Sequence, residues 1–433
     1  MKCPPTGRSR WLPALAVVYL AGCGSVADAP PERQTPTPPP PPNFLILVAD
    51  DLGVDSLAAY GENPRNASTP SLDRLMADGM RFTQFWAQPT CSPTRASTLT
   101  GRYAFRTGVS EPLWAQEDLL GVPSPEPPAG SPMELDYSPM GPRKRGEPMK
   151  HPSGINMRNP PPGVAPTGPT SDEVLLPAAL KRLATPYATA AFGKWHLADR
   201  RNGWLDHPNQ AGFDHFSGLI AGAIESLFAW QHVENGQPSQ QFGYVDQYSV
   251  DAALDWITRQ PERQPWFVWL SFVNPHEPFH KPPASLLHSP ELKALDPRGV
   301  TDGNTPTYFR AQVEAMDSLV GQLLDGLPPA ERARTYVIWF GDNGDERWAR
   351  SPSERRPNRF KSTLYQGGIH VPLVIAGPGI SAGSINHSMA HVVDVFGTVL
   401  ELAGASTSAM LDDRLIDAQS FAGQLLGREN ADA

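Results

Sequence analysis

The sequence predicts an α/β fold in which a large, mostly parallel central sheet is flanked by helices. Short apolar stretches alternate with stretches of helical periodicity, and this alternation is typical of parallel strands joined by crossover helices. The chain has 433 residues, of which 40% are hydrophobic and 19% charged, so it is long and apolar enough to form a large folded domain. Its formal net charge of −9 argues against a nucleic-acid partner, which would require a basic surface.

Four apolar runs predict strands, and three other segments predict helices. One helix is predicted at Pro70–Asp78, with Thr69 as its N-cap, Pro70 at its first position and Gly79 directly after its end. Apolar residues three and four apart predict a second helix at 308–327. The third helix is predicted at 172–183, and the strands are predicted at 44–48, 266–273, 336–340 and 373–375.

The first 42 residues have the features of an export signal followed by a spacer. A basic segment precedes a short apolar run at 12–20, and Ala21-Gly22-Cys23 then resembles a bacterial lipobox. We therefore expect a signal peptide at 1–22 and an acylated Cys23, in an exported protein that is an outer-membrane-anchored lipoprotein or is periplasmic. A plain signal peptide or an uncleaved anchor is the alternative. Residues 30–42 contain eight prolines, so 23–42 is predicted to be a semi-rigid linker that carries the lipid.

A second proline-rich segment occupies residues 111–170, with fifteen prolines and little periodicity. Such a segment is incompatible with a regular core element, so we expect a long loop inserted on the surface of the folded domain. No apolar run reaches the roughly 18 residues that span a bilayer. Contact with a membrane is therefore expected through the lipid anchor only.

Polar groups follow three of the predicted strands. Asp50-Asp51 follows the first, Asn274-Pro275-His276 follows the second, and Asp342-Asn343 follows the third. Ligands bind beyond the carboxyl ends of strands in open α/β sheets, and adjacent carboxylates repel each other unless a cation lies between them. These oxygen donors favour Ca²⁺, with Mg²⁺ also compatible. Either pair alone would be better explained by an ordinary turn, and it is the presence of both pairs at strand ends that favours a metal site.

Cys91 lies in the most informative segment. After export and acylation it would be the single remaining cysteine, because Cys3 is removed and Cys23 carries lipid. Cys91, Pro93 and Arg95 form a Cys-x-Pro-x-Arg motif followed by Thr-Gly-Arg, which resembles the signature of the sulfatase family. Further motifs similar to that family follow in order along residues 43–425: Asp50-Asp51-Leu52-Gly53, Gly193-Lys194-Trp195-His196, Asn274-Pro275-His276, Asp342-Asn343-Gly344 and Lys361 before Gly367-Gly368.

The resemblance implies an alkaline-phosphatase-like α/β fold and a specific chemistry. In the family the cysteine is oxidised during export to formylglycine by a formylglycine-generating enzyme, and the hydrated aldehyde is the nucleophile. The metal implied is Ca²⁺, held by Asp50, Asp51, Asp342, Asn343 and an oxygen of the modified Cys91.

Each remaining site residue takes a role that the resemblance implies. Arg95 and Lys194 would hold the aldehyde hydrate and the sulfate oxygens. His276 and Lys361 would bind sulfate and support the leaving oxygen, with either one as the general acid. His196 would take the proton of the second hydroxyl, which expels sulfate and restores the aldehyde.

The resemblance also implies a domain organisation and a substrate class. A catalytic domain at 43–425, interrupted by the insertion at 111–170, would be followed by a short tail at 426–433. The smaller antiparallel C-terminal subdomain usual in the family is expected to be missing or truncated. The expected substrate is a sulfated small molecule or carbohydrate, and no nucleic acid. The alternatives are a phosphonate or phosphate ester hydrolase of the same superfamily and a non-catalytic surface-binding lipoprotein.

Overall fold

A computed structural model describes residues 40–61, 67–113, 125–132, 134, 136–138, 141–143, 168–350, 359–405 and 415–428. The expected signal peptide, Cys23, nearly all of the linker and most of the insertion lie outside these described residues. Among the residues described, no helix combines the length and hydrophobicity needed to cross a bilayer.

The strands occur throughout the described chain. In chain order they are β1 Asn43–Ala49, β2 Met80–Phe82, β3 Phe85–Trp86, β4 Asp136–Ser138, β5 Gly141–Arg143, β6 Ala188–Lys194, β7 His215–Leu219, β8 Ala229–Glu234, β9 Gln237–Phe242, β10 Trp266–Ser271, β11 Thr335–Gly341, β12 Leu373–Ala376, β13 Ser384–Asn386 and β14 Ala390–His391. Ten of them form one sheet in the order β13-β2-β12-β11-β1-β10-β6-β7-β8-β9. The four predicted strands correspond to β1, β10, β11 and β12, so these predictions are confirmed.

The centre of the large sheet is parallel, and antiparallel pairs occur on both sides of it, although the edge strand β13 is again parallel to β2. Strands β11, β1, β10, β6 and β7 run parallel, whereas β12 is antiparallel to both β11 and β2, and β8 is antiparallel to β7 and β9. The prediction of a mostly parallel sheet is therefore confirmed for the central strands, while the sheet as a whole is mixed. The central strands read as continuous apolar runs because helices cover both faces of a parallel sheet.

The helices lie between and around the strands. In chain order they are α1 Pro70–Asp78, α2 Cys91–Thr100, α3 Ala104–Thr107, α4 Leu176–Lys181, α5 His207–Gln210, α6 Val245–Thr258, α7 Pro290–Lys293, α8 Thr305–Gly326, α9 Pro329–Ala333, α10 Gln366–Ile369, α11 Asp394–Leu402 and α12 Ala422–Leu425. Helix α1 has the predicted bounds, and α8 begins three residues before the prediction. Helix α4 is shorter than the predicted 172–183, because Leu175 is extended and Pro177 lies in the first turn.

Side chains of the central strands alternate between two hydrophobic layers. Leu45 and Leu47 of β1 pack into one layer, and Phe44, Ile46 and Val48 pack into the other. Because the central strands are parallel, their carboxyl ends meet at one edge of the sheet. Ala49 of β1 is in register with Gly341 of β11, and this edge is where the polar residues that follow the strands come together.

Candidate active site

The acidic residues after β1 and β11 lie side by side, as the strand register requires. Asp342 donates its backbone N–H to Ala49, and Asp51 donates its backbone N–H to Asp342 Oδ1 over 3.1 Å. Asp50, Asp51, Asp342 and Asn343 are all fully buried. Asp51 has a positive φ of 66°, a strained backbone that turns its carboxylate toward the strand ends.

Cys91 is the first residue of α2 and faces these carboxylates. Its Sγ lies 3.3 Å from Asp50 Oδ1, 3.9 Å from Asp51 Oδ1 and 3.8 Å from Lys194 Nζ. Burial raises the pKa of the Cys91 thiol well above its usual value, and the charges of Asp342 and Asp50 raise it further. The unmodified side chain is therefore a protonated thiol, which is a poor nucleophile.

Arg95, one turn along α2, connects the ends of three strands. Its guanidinium is fully buried and donates to Asp342 Oδ2 over 2.9 and 3.2 Å, from two nitrogens. A third nitrogen donates to the Lys194 carbonyl and to Ser271 Oγ, each over 2.7 Å. Helix α2 is thereby held against β11, β6 and β10, which places Cys91 at the sheet edge.

Each buried carboxylate is paired with a cation. Lys194 contacts Asp50, Lys361 Nζ lies 2.7 Å from Asp51 Oδ2, and Arg95 pairs with Asp342. Burial opposes the charged form of Asp50, but Lys194, His276 and Arg95 outweigh it and hold the pKa of Asp50 well below its usual value. Burial, and then the charge of Asp50, raises the pKa of Asp342 to about 7, while the charge of Arg95 opposes this rise.

His276 reaches the same carboxylates from the loop after β10. Its Nδ1 lies 2.7 Å from the carbonyl of Glu277, so this nitrogen carries a proton, and its Nε2 lies 3.6 Å from Asp51 Oδ2. Burial, and then the charge of Lys361, lowers the pKa of His276. The imidazole is therefore neutral at pH 7, with the Nε2 lone pair directed at the cluster.

His196 lies in the loop after β6. Its Nε2 is 2.7 Å from the carbonyl of Leu113, whereas its buried Nδ1 has no hydrogen-bond partner among the described residues. A carbonyl can only accept, so the proton is on Nε2 and the lone pair is on Nδ1. Burial, and then the charge of Lys194, lowers the pKa of His196 well below its usual value, so the ring is neutral.

The site also has the donors for a divalent cation. One ligand atom each from Asp50, Asp51, Cys91 and His276 lie within 4.8 Å of one another. Within the part of the chain that the structure describes, the buried Oδ1 of Asn343 has no hydrogen-bond partner, while its Nδ2 donates to Asp51 Oδ1. The carboxylates and this orphaned amide oxygen suit Ca²⁺ or Mg²⁺, whereas the thiol does not. Asp342, which was predicted as a ligand, is outside the four-atom cluster, and both its oxygens accept hydrogen bonds.

The structure brings together the residues that the sequence singled out. Direct contacts link Asp50, Asp51, Cys91, Arg95, Lys194, His276, Asp342, Asn343 and Lys361. His196 joins them through its backbone carbonyl, which accepts a hydrogen bond from Ser92, the residue after Cys91. Sequence reasoning missed Ser271 and Glu346, which contact Arg95 and Lys361. Ser271 ends an otherwise apolar strand, a signal that could have found it. Sequence reasoning also missed Leu113 and Ser92, because their contacts with His196 depend on the tertiary structure.

Comparisons with known proteins agree on one family. The family model described as Sulfatase matches residues 42–129 and 146–405. The N-acetylgalactosamine-6-sulfatase of Sus scrofa is 30% identical over 94% of this chain and 68% of its own length. The human N-acetylgalactosamine-6-sulfatase is 27% identical, over 89% of this chain and 66% of its own length. The chain thus spans about two thirds of the length of these relatives.

Solved structures show the same fold. The crystal structure of Ps i-CgsB in complex with k-i-k-neocarrahexaose has a TM-score of 0.64 and 21% identity, over 90% of this chain and 77% of that one. A protein solved in complex with its substrate D-glucosamine-2-N,6-O-disulfate has a TM-score of 0.58 and 18% identity, over 90% and 81%. The large mixed sheet flanked by helices is therefore the alkaline-phosphatase-like sulfatase fold. On the family match across most of its length, the chain belongs to the sulfatase family, whose members are sulfuric ester hydrolases.

Proposed function

We propose that this protein, exported and converted at Cys91 to formylglycine, hydrolyses sulfate esters to an alcohol and inorganic sulfate. The observation that carries the proposal is the setting of Cys91. Its Sγ lies within 4 Å of two buried carboxylates and of the Lys194 ammonium, where a nucleophile, a metal and an anionic substrate would meet. A buried thiol with a raised pKa is unsuited to that position, which supports its conversion.

The modified residue and the metal would supply chemistry that the unmodified chain lacks. The hydrated aldehyde has two hydroxyls on one carbon, one to accept the sulfuryl group and one whose deprotonation releases it again. Asp50, Asp51 and Asn343 would hold Ca²⁺, with Asp342 beside them and an oxygen at position 91 replacing the thiol sulfur. The bound cation would neutralise charge on the sulfate and on that oxygen.

Two cations would bind the sulfate group, and a third would orient one of them. Lys194 and Lys361 have their ammonium groups at the carboxylate cluster, and Arg95 holds the Lys194 backbone in place. Burial opposes the charge of Lys361, but Asp51 outweighs it and raises the pKa of Lys361 well above its usual value. Lys361 is therefore a charged donor, whereas neutral His276 presents a lone pair from Nε2. This contrast favours Lys361 over His276 as the donor to the leaving oxygen.

His196 would serve as the base of the second step. Its unpartnered Nδ1 is the only nitrogen of the ring that can accept a proton, because Nε2 already donates to Leu113. The ring is neutral at pH 7, which a base requires. An acceptor that is buried and otherwise unsatisfied is costly to maintain, and a role in proton transfer accounts for it.

The substrate class proposed is a sulfated carbohydrate. Relatives of the chain are named for 6-sulfated N-acetylgalactosamine, and proteins of the same fold were solved with a neocarrahexaose and with a sulfated glucosamine. A phosphate or phosphonate ester hydrolase remains the second chemical candidate. A non-catalytic binding lipoprotein is disfavoured, since burying this many charged groups destabilises a fold and a merely binding surface does not need them.

Rates on matched esters test the proposal. Protein produced together with a formylglycine-generating enzyme should release alcohol and sulfate from an aryl sulfate much faster than alcohol from the corresponding aryl phosphate. It should also release sulfate from a sulfated sugar. Protein with Cys91→Ala is the control and should release neither. Faster hydrolysis of the phosphate would favour the second candidate, and no release from any ester would refute the proposed activity.

A further inference from the structure

We infer that Gly222 is a positioning residue for His196, because its missing side chain leaves the space in which the imidazole stands with Nδ1 available to accept a proton. The inference rests on the proposed function, in which His196 is the base of the second step. It assigns a role to a residue that lies outside every motif of the site.

The backbone at Gly222 approaches the His196 ring more closely than any side chain would allow. A Cβ placed on Gly222 would lie 1.9 Å from His196 Nε2, 2.1 Å from Cε1 and 2.3 Å from Cδ2. Atoms at such separations overlap, so the ring or the loop would have to move. Gly222 does not have a positive φ, so its backbone conformation is open to alanine, and the nearest obstacle to an added methyl group is the imidazole.

The loop that carries Gly222 has a fixed position relative to His196. Trp195 donates its backbone N–H to Leu219 over 2.8 Å, and His196 donates its own to Ile220 over 3.2 Å. These bonds continue the pairing of β6 with β7 beyond the sheet. The chain two residues before Gly222 is therefore held against His196, so an added methyl group must displace either the ring or the Gly222 backbone, and both changes alter how the ring is placed.

The ring is also held at Nε2 by the segment around Leu113. The Leu113 carbonyl accepts from Nε2, and the Leu113 N–H donates to Ser92 Oγ over 3.0 Å. The same Ser92 hydroxyl donates to the His196 carbonyl over 2.9 Å. The Leu113 carbonyl thus fixes the proton on Nε2, Ser92 connects Leu113 to the His196 backbone, and Gly222 leaves the space at the same end of the ring.

A displaced ring would affect one chemical step. In that step Nδ1 takes the proton of the second hydroxyl of residue 91, the carbon–oxygen double bond forms, and the bond from carbon to the sulfate oxygen breaks. The products are the aldehyde, sulfate and protonated His196, which returns its proton to solvent. The three atoms nearest to a Cβ on Gly222 all belong to His196, so we expect transfer of sulfate onto residue 91 to proceed as before.

Gly222→Ala should therefore reproduce the defect of His196→Ala. We expect one equivalent of alcohol in a rapid burst, then turnover slowed about 100-fold, the order expected for a misplacement near 1 Å. The quenched enzyme should retain sulfate, about 80 Da, on residue 91. Ser92→Ala should show the same pattern more weakly. Conversion of Cys91 is measured in each preparation, so that only converted protein is compared.

Two glycines provide matched controls. Gly303→Ala adds a methyl where no atom lies within 4 Å, and should behave as wild type. Gly79→Ala would meet the Ile375 carbonyl at 2.3 Å, away from the site, and should lower stability without retaining sulfate. If His196→Ala retains sulfate and Gly222→Ala does not, the role of Gly222 is refuted. If His196→Ala itself retains none, the proposed role of His196 fails instead.

The position of the His196 ring can also be tested by a measurement that does not require catalytic turnover. In protein that retains the Cys91 thiol, long-range ¹H–¹⁵N spectra of labelled histidine report which ring nitrogen of His196 carries the proton. In the wild type, His196 should be a single Nε2–H tautomer. Its signals are identified as those that are missing from the spectrum of His196→Ala. Gly222→Ala should shift these signals or mix the tautomers. Unchanged signals in a folded Gly222→Ala protein would refute the inference.

Discussion

Replacing Arg95 by methionine should be among the most destabilising single changes in the site. Arg95→Met keeps much of the side-chain volume but removes the guanidinium, which leaves Asp342 buried without its counter-charge. It also removes the donor to the Lys194 carbonyl and to Ser271 Oγ. Breaking a buried ion pair by removing one partner costs about 3–5 kcal/mol, and we expect a loss of unfolding free energy in that range.

A surface pair provides the matched control for this prediction. Arg74 and Asp325 are separated by 2.8 Å, almost the same as the 2.9 Å of Arg95 and Asp342, but their side chains are 49% and 65% exposed. Arg74→Met should therefore cost less than about 1 kcal/mol. Burial, rather than distance, accounts for the expected difference between the two variants.

Urea unfolding of the Cys91-containing protein in excess chelator measures both losses without interference from the metal. The double variant Arg95→Met/Asp342→Asn should recover part of the loss, because the unpaired carboxylate is then gone. A loss below about 1 kcal/mol for Arg95→Met, equal to that of Arg74→Met, would show that Arg95 does not stabilise the strand ends as the contacts indicate.

Three further predictions concern the chemistry. Cys91→Ala should abolish turnover and leave the fold intact, because a nucleophile is lost but no disulfide is; more than a few per cent of residual activity would contradict the mechanism. A calcium chelator should remove activity and lower thermal stability, since Asp50 and Asp51 would lose their shared cation; equal activity in chelator and in calcium would refute the metal assignment. His196→Ala should give an alcohol burst and sulfate held on residue 91; if Lys361→Ala gives this pattern and His196→Ala does not, the two roles are reversed.

The parts of the site that could be predicted from sequence are those governed by strand ends and local motifs. Asp50-Asp51 and Asp342-Asn343 each follow an apolar strand, and parallel pairing of β1 with β11 brings them together without further information. Cys91 and Arg95 are one turn apart on one helix, so their joint orientation follows from helical geometry.

The contacts of His196 could not be predicted in that way. Leu113 is 83 residues away, and the groups that meet it are a backbone carbonyl and a glycine without a side chain. Neither group can be recognised from the sequence as a neighbour of His196, because every residue has a backbone carbonyl and the chain has many glycines. The strands at the two sides of the sheet were not predicted for a related reason. β9 and β13 are partly exposed edge strands, and Gln231 and His232 interrupt β8, so none of the three has a continuous apolar run.

The most direct test relates the state of residue 91 to sulfate release. Intact mass of the peptide containing Cys91 gives the converted fraction, since replacing thiol by aldehyde lowers the mass by about 18 Da. Preparations made with graded amounts of the formylglycine-generating enzyme should release sulfate from an aryl sulfate at rates proportional to that fraction, with none at zero conversion. The same rate in fully unconverted protein would contradict the central claim that residue 91 becomes the nucleophile.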